Sequence, residues 1–169
     1  MLKVWDPLVR ILHWTLVLGI VIAWLTREGA REAHELIGYA VLAALALRLL
    51  WGFVGTQYAR FSQFVVSPAK TLGYARQVIE GKESRHVGHN PLGGWMIVLL
   101  LAAIALVSLS GWLYTTDEYW GVEWVAETHE ALSNFLYGLI ALHIAGVVFT
   151  SLRQKENLVA AMLHGRKRA

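Results

Sequence analysis

Residues 129–143 of the chain read HEALSNFLYGLIALH, an apolar segment with a histidine at each end. On an α-helix the fourteen-residue step from His129 to His143 turns through about 1,400°, about 40° short of four full turns. The two imidazoles therefore point to nearly the same side, about 21 Å apart along the axis. The segment predicts one long helix that presents two histidines at two depths.

The composition of the whole chain places this helix in a membrane. Of 169 residues, 56% are hydrophobic and 16% are charged, which is too apolar for an ordinary soluble domain. The apolar residues form continuous blocks, each close to the roughly 20 residues of a bilayer-spanning helix, and they lack the alternation of membrane strands. We expect an all-α integral membrane protein, a single domain with a four-helix transmembrane bundle. The expected spans are about 8–26, 35–54, 95–116 and 129–152.

The first block also has features of a cleaved signal peptide, since Lys3 precedes it and Arg10 lies near its start. No small-residue cleavage site follows, because residues 25–28 read LTRE, and we expect the block to remain as the first span. The chain has no cysteine, which excludes disulfides, iron–sulfur clusters, thiolate ligands and haem attached through cysteine.

The distribution of charge between the predicted loops orients the bundle. Most Lys and Arg residues fall in the two termini and in the loop 55–94, whereas the opposite side has two arginines against eight acids. The positive-inside rule therefore places both termini and the loop 55–94 in the cytoplasm, with the spans in a bacterial inner membrane. The net charge of +3 reflects this asymmetry and gives no argument for nucleic-acid binding.

Two further segments are predicted on the cytoplasmic side. Ser67 followed by Pro68 is an N-cap with a first-turn proline, and the apolar stripe after it predicts a short helix on the membrane surface at about 68–80. The basic tail 153–169, which contains His164, is expected to contact anionic lipid.

The histidines of the spans form two pairs at matching depths. Because successive spans run in opposite directions, His34 and His129 lie near the outer end of the bundle, whereas His13 and His143 lie nearer the cytoplasmic end. An imidazole in hydrocarbon is costly unless it is partnered, so we expect all four rings to face the bundle interior. Ordinary packing with a hydrogen bond explains any one of them, but it does not explain four in two pairs.

Haem is the ligand that suits two facing pairs. A zinc or iron site built by protein alone would add carboxylates or thiolates, which the apolar cores of the spans lack. Haem takes two axial ligands from opposite sides of its plane. We predict two non-covalent haem b groups, an outer one on His34 and His129 and an inner one on His13 and His143. Small residues near the ligands would let each haem approach the backbone, namely Gly19, Gly38, Gly138 and Gly146.

Three arginines are candidate partners for the haem propionates. Arg10 and Arg31 each precede a predicted ligand by three residues, which puts them on the same helix face if the helix extends that far. Arg48 comes fourteen residues after His34 and so reaches the depth of the inner pair. Inside a span it requires a carboxylate partner; the alternative is that it snorkels to the cytoplasmic interface.

Residues outside the spans give two weaker signals. His86 and His89 lie in the cytoplasmic loop near the inner pair and are candidates for a quinone headgroup site, with capping or exposure to water as the alternative. The outer loop before the fourth span is acidic, and it is either a solvated surface or a docking patch for a basic partner such as a soluble c-type cytochrome. The acids of this patch are Asp117, Glu118, Glu123 and Glu127.

Four motifs along nearly the whole chain resemble one family. They are VWDPLVRILHW at 4–14, HELIGY at 34–39, GHNPLGGW at 88–95 and HEALSNFLYGLIALH at 129–143. Together they resemble the bacterial cytochrome b561 family, which is related to the b-type cytochrome subunits of nickel–iron hydrogenases. The resemblance implies a four-helix membrane protein with two b-type haems that passes electrons between quinones and partner redox proteins. It also implies that the axial ligands are His13, His34, His129 and His143.

We therefore expect a dihaem electron carrier that links the quinone pool with a periplasmic or membrane redox partner. It would act as a quinone oxidoreductase in its own right or as the cytochrome b anchor of a hydrogenase-like complex, and a homo-oligomer is compatible with either. A transporter that uses histidines to bind a metal or protons is the alternative from another class. The acid-free cores of the spans argue against a transporter, and a visible spectrum separates the two classes.

Overall fold

The computed structural model describes residues 1–168 and consists mainly of helices. The chain runs through β1 (Leu2–Lys3), α1 (Pro7–Thr26), α2 (Arg31–Val54), a 3-10 turn (Gln57–Ala59), α3 (Phe61–Phe64), α4 (Pro68–Glu80), α5 (Pro91–Tyr114), α6 (Glu123–Gln154), α7 (Leu158–His164) and β2 (Arg166–Lys167). The helices α1, α2, α5 and α6 have 20, 24, 24 and 32 residues and are long and apolar enough to cross a membrane. The prediction of a helical membrane protein with four spanning helices is confirmed at this level.

The long helices do not end where the apolar blocks end. α2 begins at Arg31 and not at 35, α5 covers Pro91–Tyr114 and not 95–116, and α6 covers Glu123–Gln154 and not 129–152. The predicted bounds followed hydropathy, whereas a hydrogen-bonded helix continues through polar turns at the membrane surface. The acid Glu123 also suits the positive end of the α6 dipole.

Three helices begin at a polar cap followed by proline. Asp6 Oδ1 accepts a hydrogen bond from Val9 N at 3.0 Å, at the start of α1. Asn90 Oδ1 accepts one from Gly93 N at 2.7 Å, at the start of α5. Ser67 caps α4, which occupies the place of the expected surface helix. These caps satisfy backbone donors that a helix start leaves unbonded.

Asp6 also joins the start of α1 to the end of α2. Its carboxylate accepts hydrogen bonds from Thr56 Oγ1 at 2.6 Å and from Trp51 Nε1 at 3.2 Å. Burial raises the pKa of Asp6, but these hydrogen bonds outweigh burial and hold the pKa below its ordinary value. The carboxylate is therefore charged at neutral pH and accepts all of these bonds at once.

The four long helices pack in the order α1, α2, α5, α6. In residues 1–168, α5 is the one membrane-length helix with which α6 makes extensive contact. The buried core draws on all four helices and consists of Leu12, Leu16, Val41, Ala44, Leu45, Leu101, Ala103, Ile104 and Leu136. Of the side chains on α6, only Val125 and Leu136 are fully buried. α6 therefore faces the rest of the bundle across an interior that its own side chains fill only in part.

The C-terminal residues fold against the N-terminus, so the basic tail is an ordered part of the structure, and its contact with anionic lipid stays a prediction. After α6 the chain turns at Lys155, forms α7, and pairs β2 with β1 so that Leu2 lies opposite Lys167. Trp5 and Ala161 meet in a small second core beside this pair. Two-residue strands leave no periodic signal in a sequence, so the pairing was not predicted. Ala169 lies outside the described residues.

A buried carboxylate, that of Glu156, holds the folded terminus against the end of α6. It lies 3.3 Å from Arg85 Nη2 and 3.8 Å from Lys167 Nζ. It also accepts a hydrogen bond from Arg168 N at 2.7 Å. Burial raises the pKa of Glu156, but the bond from Arg168 and the charges of Lys167 and Arg85 outweigh burial, so the pKa lies below its ordinary value. The cluster joins α6, the loop before α5 and the C-terminal strand.

Replacing Glu156 by Gln should destabilise the protein by about 3–5 kcal/mol, because a buried cation loses its counter-charge. The side chains of Glu156 and Lys167 are 5% and 3% exposed, so water does not replace the lost interaction. Chemical unfolding in detergent, followed by tryptophan fluorescence, measures the change.

Glu80→Gln is the matched control, because the Glu80–Lys82 pair is exposed and worth about 0–1 kcal/mol. The pKa of Glu156 falls on folding, so its carboxylate stabilises the folded protein fully above its unfolded pKa, near 4.5. This stabilisation is lost as the pH falls through the lower pKa of the folded state. The advantage of the native protein over Glu156→Gln should therefore persist at neutral pH and shrink below pH 4.5. Equal stability of Glu156→Gln and Glu80→Gln at neutral pH would contradict the role given to Glu156.

Candidate functional site

Two of the predicted ligands face each other near one end of the bundle. His34 on α2 and His129 on α6 have ring centroids 6.2 Å apart, with the ring planes at 86°. A metal held by two ring nitrogens at about 2 Å each, with about 1.1 Å from each nitrogen to its ring centre, requires a centroid separation of about 6.2 Å. The pair therefore has the spacing of two axial ligands of one metal ion.

Hydrogen bonds through Nδ1 orient both rings and, within residues 1–168, leave Nε2 without a bond. His34 Nδ1 lies 2.9 Å from the carbonyl oxygen of Ala23. His129 Nδ1 lies 3.1 Å from the carbonyl oxygen of Val107 and 3.0 Å from Ser110 Oγ. A carbonyl only accepts, so each Nδ1 carries the proton and donates it, while each Nε2 keeps a lone pair for a metal. These partners could not be predicted from the sequence, since two of them are backbone atoms that no residue pattern reveals.

A cavity lined by residues of all four long helices adjoins the two rings. Gly38 lies in its wall, with no atom within 4 Å of the place where a Cβ would stand. Gly111 lies directly against the His129 ring, because a Cβ there would be 2.9 Å from His129 Cε1. The cavity thus combines two oriented imidazoles with a wall that glycine keeps open.

The other glycines predicted to admit a haem divide into two kinds. Gly138 and Gly146 on α6 have no atom within 4 Å of a built Cβ. Gly19 is different, since a Cβ there would lie 2.5 Å from Val41 Cγ2. Its lack of a side chain lets α1 approach α2, and the expectation that it makes room for haem is wrong.

The second pair, His13 on α1 and His143 on α6, lies deeper along α6. The two side chains are near enough for a charge–charge interaction, and Arg48 is near enough to His13 for another. His13 Nδ1 is buried and has no hydrogen-bond partner. An unbonded imidazole nitrogen in an apolar interior is costly, and metal coordination is one way to use such a ring.

Arg48 is buried beside this pair at 6% exposure, so protein and not water surrounds its guanidinium. Its Nη2 donates to the carbonyl of Ala59 at 3.4 Å, and its guanidinium lies 5.4 Å from the centre of the Phe61 ring. Its Nη1 is buried without a partner, and the expected carboxylate does not bond to it within residues 1–168. A buried cation with an open donor fits a haem propionate.

The other two candidate propionate partners already contact protein groups. Arg31 Nε pairs with Glu35 at 2.6 Å, and its guanidinium lies 3.5 Å from the centre of the Trp120 ring. Arg31 thus ties the start of α2 to the turn before α6. Arg10 Nη1 donates to the carbonyl of Leu163 at the end of α7, but its Nε is buried and has no partner. Arg10 therefore keeps one open donor.

The two loop histidines occupy different environments. His86 bonds through Nδ1 to a carbonyl of its own loop at 3.0 Å, and its ring meets Tyr74 edge on at 5.2 Å. His89 packs against Trp5 and Phe64, and its Nδ1 is buried without a partner. His89 lies close enough to the inner pair for charge–charge interaction with both of its members. His86 thus serves its loop, whereas His89 belongs to the surroundings of the inner pair.

The donor set indicates what the pairs can bind. Within residues 1–168, no three His, Asp or Glu side chains come together as a metal site. A metal bound by one pair must therefore bring further ligands with it, as haem does with its four ring nitrogens. Four helices of membrane length, with paired histidines between them, have the features expected of a membrane cytochrome of the b type.

Comparison with known proteins gives the family. A family model described as prokaryotic cytochrome b561 matches residues 4–165, and the chain belongs to this family. It is also similar to a probable Ni/Fe-hydrogenase B-type cytochrome subunit of Cupriavidus necator, with 22% identity over 209 residues that cover 96% of this chain and 85% of the relative. No solved structure is a significant match. The protein is thus a membrane cytochrome that transfers electrons through b-type haem, and the resemblance found in its motifs is confirmed.

Gly111→Ala should displace the His129 ring, because the new Cβ would stand 2.9 Å from its Cε1 atom. We expect the variant to lose haem or to convert part of it to a five-coordinate form. The absorption spectrum, with the haem bands measured per mole of protein, detects either change. Gly73→Ala on α4 is the matched control, since no atom lies within 4 Å of its built Cβ. Unchanged haem content and spectrum in Gly111→Ala would argue against His129 as a ligand.

Proposed function

We propose that the protein is a dihaem cytochrome b that carries electrons across the inner membrane between the quinone pool and a redox partner. The observation that carries the proposal is the opposed placement of His34 and His129 at 6.2 Å, with both Nδ1 atoms bonded elsewhere. His13 and His143 supply the second pair. α6 contributes one ligand to each pair, about 21 Å apart along its axis, and so connects the two sites.

Each pair would hold one haem b, which supplies a one-electron couple between ferric and ferrous iron. The chain tunes this couple through its own residues. The hydrogen bond from His129 Nδ1 to Val107 makes the ring a better electron donor to a metal. Arg48 places a buried positive charge near the inner pair, and in a low-dielectric interior this charge favours the reduced state.

The orientation belongs to the same proposal. Both termini and the loop 55–94 lie in the cytoplasm, which puts the His13–His143 pair on the cytoplasmic side and the His34–His129 pair on the periplasmic side. The support is the positive-inside rule applied to the charge asymmetry of the loops. Electrons would then cross the membrane by passing from one pair to the other.

Pyridine haemochrome analysis should return two haem b per chain. Alanine at His34 or His129 should remove one spectral component, and alanine at His13 or His143 should remove the other, because each haem loses one of its two axial ligands. His164→Ala is the control, since this histidine lies on α7 and bonds the backbone of Arg166. One haem per chain, or loss of the same component in His13→Ala and His129→Ala, would contradict the pairing.

The partner is a redox protein, and two kinds are supported. The relative in Cupriavidus necator is described as a hydrogenase subunit, which supports membership of a redox enzyme complex with this chain as its membrane anchor. The acidic patch favours a soluble basic partner such as a c-type cytochrome, because exposed charge of one sign steers association. Its four residues are exposed on the turn after α5 and the first turns of α6, namely Asp117, Glu118, Glu123 and Glu127.

Quinone is the proposed reactant within the membrane, with His86 and His89 as the sequence-based candidates for its headgroup site. A chain that exchanges electrons with quinone unaided is a quinone oxidoreductase, whereas one that requires a partner is an anchor subunit. Quinol oxidation by the purified chain alone separates these two outcomes.

Electron exchange with a basic partner at the acidic patch should slow as salt increases, because the Debye length falls from about 30 Å at 0.01 M to about 10 Å at 0.1 M. Replacing the four acids by Asn or Gln should lower the association rate and flatten this dependence, with haem content retained. Stopped-flow reduction of a c-type cytochrome measures the rate, with Glu80→Gln on α4 as the control. A rate indifferent to salt and to the four replacements would identify the patch as solvated surface.

A further inference from the structure

Two side chains with buried, unpartnered nitrogens, Arg48 and His89, lie near the inner histidine pair. In residues 1–168 the buried side-chain nitrogen and oxygen atoms that make no hydrogen bond are Arg10 Nε, His13 Nδ1, Arg48 Nη1 and His89 Nδ1. Three of these belong to side chains other than the predicted ligands and lie on α1, α2 and the residue before the α5 cap. Unpaired buried donors are costly, so their concentration in one region indicates an acceptor there.

His89 is the least expected member of this set. Its ring packs against Trp5 at 4.4 Å and Phe64 at 4.7 Å between ring centroids. Burial, together with the charges of Arg48 and Lys167, lowers the pKa of His89 to about 3. The imidazole is therefore neutral at pH 7, with one N–H to donate. Its surroundings are positively charged, which favours an anion as the acceptor.

Of the possible acceptors near Arg48 and His89, a carboxylate of the cofactor fits best. Within residues 1–168 Arg48 forms no salt bridge, and the charge of Asp6 acts on it without a hydrogen bond, because that carboxylate already bonds Val9, Trp51 and Thr56. A second negative charge beside Arg48 would offset the cost of its burial. A quinone oxygen accepts hydrogen bonds but brings no such charge. A lipid phosphate brings charge, but it remains at the membrane surface, and Arg48 is only 6% exposed. A haem propionate is an anion that a haem on His13 and His143 would carry to this place.

We propose that His89 is a haem-binding residue, which together with Arg48 binds a propionate of the inner haem by donating to its carboxylate. The proposal rests on the proposed function, in which His13 and His143 bind that haem. It replaces the quinone role that the loop position of His89 predicted. It also makes the loop before α5 part of the haem site, next to the Glu156 cluster that fixes the same loop through Arg85.

Two variants separate hydrogen bonding from packing. His89→Phe keeps an aromatic ring against Trp5 and Phe64 but removes the nitrogen. His89→Asn removes the ring but keeps an amide donor near the place of Nδ1. The measurement is an optical redox titration of the detergent-purified holoprotein, in which the inner haem is the component absent from His13→Ala. We expect His89→Asn to keep the native midpoint potential and His89→Phe to shift it to a lower value, because an unbonded propionate charge favours ferric iron.

Other results would overturn the proposal. A native potential in His89→Phe with a shift in His89→Asn indicates a packing role. Native potentials in both variants, with a raised KM for quinol, indicate a quinone site. A protein with only one haem contradicts the proposed function itself, whereas two haems with an inner potential indifferent to His89→Phe contradict this inference alone.

A double-mutant cycle checks that the two residues share one ligand. Arg48→Gln should also lower the potential of the inner haem, since it removes a positive charge. If Arg48 and His89 bind the same carboxylate, the shift in the double variant should differ from the sum of the single shifts. Additive shifts would assign the two side chains to different groups and overturn the proposal.

Discussion

The structure depends on the high cost of burying a polar nitrogen in an apolar bundle without a partner. Membrane helices bury few polar groups, and an imidazole among them is costly unless each of its nitrogens is bonded. His34 and His129 meet half of this requirement with protein acceptors, through Ala23 and through Val107 with Ser110. The ring centroids lie 6.2 Å apart, the separation that a metal bound to one nitrogen of each ring needs. The proposed haem ligation would therefore use the nitrogens that the protein acceptors leave unbonded.

The same requirement explains how the helices pack. Among the long helices, α6 makes extensive contact only with α5 in residues 1–168. It nevertheless carries one histidine of each pair, whereas the partner histidines lie on α2 and α1. A haem held between such partners joins α6 to the first half of the bundle, where direct side-chain contact is sparse. Cofactor binding and folding are then coupled, since an empty site leaves α6 attached mainly through α5. Glycine supports this arrangement at Gly111, where any side chain would collide with a ligand.

Hydropathy and spacing predicted what depends on local composition. The four apolar blocks indicated four spanning helices, the Ser67-Pro68 cap preceded a helix at Pro68–Glu80, and the fourteen-residue step from His129 to His143 is carried by one uninterrupted helix. Features that depend on distant contacts were not predictable in this way. The pairing of β1 with β2 and the burial of Glu156 join segments far apart in the chain. Gly19 was predicted to make room for haem, whereas it lets α1 pack closely against Val41. A sequence does not distinguish a glycine at a close helix contact from one beside a cofactor.

Electron paramagnetic resonance of the oxidised protein tests the central claim most directly, because it reports the axial ligands of each ferric haem. The account predicts low-spin signals only. One of them should be strongly anisotropic, as expected for axial imidazole planes nearly at right angles, since the His34 and His129 rings are inclined at 86°. That signal should vanish in His34→Ala. A dominant high-spin signal from five-coordinate haem in the native protein would contradict bis-histidine ligation and with it the account of the fold.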